Sequence, residues 1–320
     1  MKQKLTWLFA AAVLPYWLLT GCQESANGST AGESAADVVK TVEPYKTSAE
    51  WNAYWYKGTA ELTSYDLIQS RYGELHKGTV VNIFVTEDFS KEKQVKLDDP
   101  SKAGADKLPV LKLNQSVKFV TGIYPYSLML STFQPVDLNN YPHPVKITGS
   151  MQEWCGMAYY QMNNRNNKYN IEQRSYFEHE GDNNITRDIA LTEDELWTII
   201  RMDPNKLPTG DQTILPGALY LRLSHKPLET VQAKMSLKEN NGIYSYSVEM
   251  PSLNRTLIIH FEKAFPYAIT GWEDTFPGID GKVLTTTAVK NKTMNIDYWR
   301  THTNADRELR TELGIPRDTQ

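Results

Sequence analysis

The chain has only two cysteines in 320 residues, Cys22 and Cys155. A disulfide framework is therefore excluded as the source of its stability. Histidines number six, and none stands in a recognisable metal-ligand spacing. HExxH, CxxC, GxSxG and a Gly-rich phosphate loop are all missing, which removes the common zinc, redox, hydrolase and nucleotide signatures. The one acidic turn, GIDGK at 278–282, is too short for a calcium loop. A formal charge of −4 with no basic cluster argues against a nucleic-acid partner. Neither a metal nor an organic cofactor is expected. Long apolar runs are scarce as well, with one exception at the start of the chain.

That exception is MKQKLTWLFAAAVLPYWLLTGC, where Lys2 and Lys4 precede an apolar stretch from 5 to 19. The stretch is shorter than the roughly 20 residues of a membrane-spanning helix and is basic only at its front, the pattern of a secretory signal. Leu19-Thr20-Gly21-Cys22 matches the bacterial lipobox, so residues 1–21 are expected to be cleaved and Cys22 to carry lipid. At about 0.8 kcal/mol per buried methylene, several acyl chains hold a protein on a bilayer almost permanently. No Asp follows Cys22 to retain the product at an inner membrane, so an outer-membrane lipoprotein is expected, facing the periplasm or the cell surface. Residues 22–45 are rich in Ser, Ala, Gly and Glu and read as a flexible tether. Residues 46–320 are expected to form a single β-rich domain, with room for two similar halves.

Alternation dominates that region. In VQAKMSLKE (231–239), Val231, Ala233, Met235 and Leu237 share one face and polar residues the other, as in a strand wet on one side. Asn240, Asn241 and Gly242 form a turn signal before IYSYSVEM, and RTLIIHFE completes a meander. KITGSMQEWCGMAYYQMNN and YNIEQRSYFEHE read as two further strands, each continuous. Helices are few. LTEDELWTIIRM is the clearest, with a Thr192–Glu195 capping box and Pro204 as its stop. The fold class is thus mainly β (β-rich α+β), a large antiparallel sheet, half-barrel or sandwich with a few peripheral helices. GIYPYSLML and GIYSYSVEM share Gly-Ile-Tyr-x-Tyr-Ser, which fits either a duplicated half or two strands of similar aromatic composition.

Once Cys22 is lipidated, Cys155 has no disulfide partner and becomes the candidate nucleophile. Glu153 lies on its strand face, and a nearby carboxylate raises a thiol pKa, which is wrong for activation. Arg174 and His179, on the strand expected to pair with it, are the remaining catalytic candidates. His179 stands between Glu178 and Glu180, which in a strand would point away from it. Trp154 is expected to face the core. With Tyr124 and Tyr126 it is a candidate for lining a concave sheet face that holds an apolar or ring-shaped ligand.

Residues 53–89 (AYWYKGTAELTSYDLIQSRYGELHKGTVVNIFVTEDF), 121–127 (TGIYPYS) and 152–165 (QEWCGMAYYQMNNR) resemble a lipoprotein family of Bacteroidota. Some of its members are labelled septum formation inhibitor Maf. Maf nucleotide pyrophosphatases carry an early Ser-x-Ser-Pro-Arg-Arg stretch, which this chain lacks. The resemblance therefore implies a membrane location and no mechanism. The leading expectation is a non-enzymatic, lipid-anchored envelope module that binds an apolar or carbohydrate-like ligand or an envelope partner. The alternatives are an envelope hydrolase or transferase using Cys155, and a structural subunit of an outer-membrane assembly.

Overall fold

A computed structural model describes residues 42–317. The expected signal peptide, the lipobox at Cys22 and the tether as far as residue 41 lie outside the described residues. The last expected tether residues are already docked: the Tyr45 N–H donates to Asp137 at 2.8 Å and its hydroxyl to Asp203 at 3.1 Å.

The described chain first steps outward through eight strands: β1 (Ala60–Arg71), β2 (Glu74–Ser90), β3 (Lys107–Thr121), β4 (Tyr124–Pro135), β5 (Lys146–Glu153), β6 (Gly156–Arg165), β7 (Lys168–Ser175) and β8 (Asn183–Asp188). It then passes through β9 (Leu191–Thr192) and α2 (Glu193–Met202), which follows the earlier α1 (Ala49–Trp55). It returns through β10 (Gly210–Leu215), α3 (Ala218–Leu223), β11 (Val231–Asn240), β12 (Ile243–Met250), β13 (Arg255–Glu262), β14 (Ile269–Pro277) and β15 (Val283–Ile296). A short α4 (Glu308–Glu312) ends the fold. All fifteen strands form one sheet, in which β15 pairs with β1 while β8 and β9 are the two edges. Pairing is antiparallel except between β9 and β10.

This order forces curvature. Laid flat, fifteen strands at about 4.8 Å spacing would span roughly 65 Å. The edge strands β8 and β9, however, are separated only by Ile189 and Ala190, and that connection reaches no further than about 11 Å. The sheet must curl until its edges approach. It stays open, because no ladder joins β8 to β9 or β10.

The enclosed space is filled from within. The capping box on α2 is present, with Thr192 Oγ1 accepting from the Glu195 N–H at 3.3 Å and Glu195 accepting from the Thr192 N–H at 3.2 Å. Acids in its first turn and Arg201 in its last complement the helix dipole. All ten of its residues are buried, so this helix is the central plug of the curled sheet and not peripheral. One core cluster joins Leu196, Trp197 and Ile200 of α2 to Tyr65, Phe84, Leu113, Val248 and Ile259 from strands on both sides. Helix α1, capped by Ser48, lays Trp51 and Trp55 over one end of this core. That is the capped end. The opposite end carries the tight turns between β1 and β2, β3 and β4, and β5 and β6.

The stretch expected as one strand through Trp154 is instead a hairpin, β5 and β6, turning on Trp154 and Cys155. Trp154 is 67% exposed at its tip and anchors no core. Glu153 pairs directly with Gly156, which leaves only those two residues to make the turn. The Gly-Ile-Tyr-x-Tyr-Ser echo also has a local explanation. Each copy starts at a glycine of positive φ, Gly122 at +56° and Gly242 at +79°, and sends one buried tyrosine inward, Tyr126 or Tyr246.

Candidate functional site

Three polar features stand out on this frame. The first is a chamber of about 90 Å³ between the N-terminus of α2, α3 and strands from both sides of the sheet. Arg255 at its wall makes paired hydrogen bonds to Glu193 (2.6 and 2.7 Å) and to Asp274 (2.7 and 2.9 Å). The third carboxylate, Asp194, receives only the Ala218 N–H, at 3.1 Å, among the described residues. Burial, then repulsion from Glu193, pushes its carboxyl up to about 7. A Cβ at Gly217 would come within 2.6 Å of Glu193 Oε1, so a side chain there would displace that carboxylate. The chamber has room for a few waters and none for a substrate.

The second feature is the hairpin end, closed by α3. Glu180 Oε1 accepts from His225 Nδ1 at 2.7 Å and from Arg222 Nη1 at 3.0 Å, and His179 Nε2 lies 3.5 Å away. Burial pushes His225 below its ordinary value, so its ring is neutral near pH 7. The His179, Glu180 and His225 ligand atoms lie within 4.8 Å of one another, a spacing that could hold a metal ion. Arg222 already supplies the positive charge that Glu180 needs. On the other flank of α3, Arg71 Nη1 donates to the Leu223 carbonyl and Nη2 to the Tyr72 hydroxyl at 3.3 Å. Its Nε is buried without a partner among the described residues. A pocket of about 250 Å³ adjoins it, lined by Ser70, Arg71, Tyr72, Ser224 and Lys226 together with the apolar ends of α3 and β14.

The third feature is the seam. A cleft of about 1000 Å³ runs between the β8 side (Arg187, Asp188) and the β10 side (Gln212, Thr213, Leu215). Ile189, Leu191 and Leu228 supply apolar wall, and His143, Arg187 and Glu229 supply charge or hydrogen-bonding groups. His143 Nδ1 lies 3.0 Å from Glu195, which ties the cleft to the capping box of α2.

The residues singled out from the sequence are not brought together in one site. Cys155 is an exposed free thiol, and its own N–H donates to Glu153 at 2.8 Å. Hydrogen bonding to Glu153 holds that thiol above its ordinary value. Arg174 pairs with Tyr159 in register, on the outer face of the sheet. It bonds to Glu172 at 3.2 Å and to the Asn183 carbonyl at 2.9 Å. His179 does converge with Glu180, contrary to the strand geometry expected for them, because β7 ends at Ser175 and both residues lie in the following turn. Tyr126 is buried and stacks on Phe119 at 4.6 Å, while Tyr124 packs at 6.3 Å from Trp154. Arg71, Arg222, His225 and the α2 carboxylates were not among the candidates. Only Arg71 left a readable trace, on the inward register of Tyr65, Leu67 and Gln69.

A scan of family models, a search of curated proteins and a search of solved structures found no match to the chain.

Proposed function

We propose that the protein is a lipid-anchored, non-enzymatic binding module of the cell envelope, of the lipoprotein group it resembles. Its ligand, an amphiphile with apolar and hydrogen-bonding parts or a carbohydrate-like molecule, lies in the seam cleft. The observation that carries this reading is the size and lining of that cleft, about 1000 Å³ with apolar and polar side chains interleaved. That volume is in the range of small-molecule sites, whereas the interior chamber is far below it. The β10 flank is anchored by the buried Ile214 and Leu215, while β8 on the other flank is the exposed sheet edge.

The anchoring half of the reading rests on the lipobox, and the tether gives the module reach from the bilayer. Labelled palmitate should enter the wild-type chain and be lost in Cys22→Ala, with release from the membrane fraction. For the binding half, native mass spectrometry of the full chain with an envelope lipid extract and with a panel of soluble oligosaccharides is the test. Retention of one ligand class, abolished by Gln212→Trp in the cleft, is the expected result. No retention of either class would overturn it.

A further inference from the structure

Three arginines are buried among the described residues: Arg201 at 1% exposure, Arg255 at 3% and Arg71 at 9%. Arg201 is gripped by both oxygens of Glu61, and Arg255 by Glu193 and Asp274. Arg71 has no carboxylate partner among the described residues; its hydrogen bonds go to one carbonyl and one phenol, both neutral. A guanidinium taken out of water without a counter-charge is costly, and an unmet donor beside it adds to that cost.

The pocket next to it explains the cost. Of its lining residues none is acidic, and two are cationic, Arg71 and Lys226. Lys226 makes no ion pair among the described residues either. The hydroxyl of Ser224, which also lines the pocket, is a second buried group without a hydrogen-bond partner among the described residues. Tyr72 adds a phenol whose hydroxyl already meets both Arg71 and Tyr126. Ser70, Gly278 and the apolar Leu223, Phe276, Pro277 and Ile279 complete the wall. Asp280, on the adjoining turn, directs one carboxylate oxygen toward Gly73 and the other toward Gly278 of the pocket wall, where it accepts the Lys282 N–H at 3.2 Å.

We propose that this pocket binds the phosphoryl group of a phosphate ester. Arg71 and Lys226 supply its counter-charge, Ser224 a hydrogen bond, and the Leu223, Phe276 and Ile279 wall receives its organic part. A phosphate monoester carries about −1.5 to −2 charge near pH 7, which matches two unpaired cations. The same chemistry could come from a soluble ester or from a lipid headgroup. Exposed apolar side chains at this end, Tyr72 at 44% and Ile279 at 60% beside the pocket, place it within reach of either. The site is separate from the seam cleft and does not depend on it.

The test is calorimetric titration of the full chain in neutral detergent micelles. Three probes are used: inorganic phosphate, glycerol 3-phosphate, and micelles doped with phosphatidic acid. Saturable binding of glycerol 3-phosphate assigns a soluble ester, and binding of phosphatidic acid alone assigns a headgroup. Lys226→Gln, at an exposed position, is expected to weaken either by about tenfold or more, the size of a lost charge-assisted hydrogen bond. Arg71→Gln is expected to do more, and Gln212→Trp to leave glycerol 3-phosphate binding unchanged. Binding to none of the probes, or binding unchanged in Lys226→Gln, overturns the assignment.

Discussion

The two ends of the curled sheet bury arginine in opposite ways. At the capped end Arg201 lies between the rings of Trp55 and Phe84 (5.1 and 4.8 Å), with Glu61 in front at 2.5 and 2.6 Å and the Tyr54 hydroxyl donating to the same carboxylate. Burial pushes the Glu61 carboxyl up, but the Arg201 guanidinium more than offsets it and holds it below the ordinary range. At the hairpin end Arg71 stacks on Tyr72 at 4.4 Å and, among the described residues, meets only neutral oxygens. The first arrangement is electrically complete, and the second becomes complete only with an anion from outside. The hairpin end presents Ile123, Trp154 and Tyr176 at its tips, whereas α1 seals the capped end with two buried tryptophans.

Breaking the complete end should cost most. Arg201→Ala leaves Glu61 charged and buried, and equilibrium unfolding in urea is expected to show a loss of about 3–5 kcal/mol. The double replacement Arg201→Met with Glu61→Leu should recover most of that loss. A recovery of nothing would mean that the pair does more than neutralise itself.

The chamber between the ends gives the next largest effect, and it depends on pH. Asp194 has a folded value near 7, above its unfolded value of about 3.9. Its stabilising contribution is complete below pH 4 and is lost as pH rises through 7. Asp194→Asn should therefore match the wild type near pH 4 and exceed it by up to about 4 kcal/mol at pH 8, three units at about 1.4 kcal/mol each. Thermal unfolding across that range checks the sign. A variant that is less stable at pH 8 would contradict it.

The tips should matter least for folding. Trp154→Ser is expected to change stability by no more than about 0.5 kcal/mol, because its ring covers little. Cys155 should alkylate without denaturant but slowly. Glu153→Gln is expected to speed it several-fold, since the carboxylate that raises the thiol is gone. A rate unchanged in Glu153→Gln would remove Glu153 as the cause.

Much of the frame was legible in the residues. Period-two alternation at 231–239, the turn at Asn241 and Gly242, and the Thr192 capping box each gave the correct local element. The curl was not legible, because it follows from which strands end at the edges. Helix α2 reads as amphipathic, yet its charges are buried, since their partners Glu61, His143 and Arg255 lie 140, 52 and 62 residues away in the chain. The Trp154–Cys155 turn was hidden for another reason: neither residue is a turn former, and both continued an apparent strand. For Arg71, register showed where its side chain would point. Only the folded chain shows that no carboxylate among the described residues pairs with it there.

The difference between the ends can be read in one experiment. Arg201 Nε donates to the Pro266 carbonyl at 3.0 Å and Arg255 Nε to Asp274 at 2.7 Å, while Arg71 Nε has no acceptor among the described residues. Nitrogen-edited NMR of the three Nε–H groups during titration with glycerol 3-phosphate, or with phosphatidic acid in neutral micelles, isolates that donor. The expected result is that the Arg71 Nε–H alone shifts and slows its exchange with water as one of the two probes is added, while the other two stay fixed. An Arg71 signal already protected and unmoved by both probes, or three signals moving together, would contradict the idea that this end is completed by an anion.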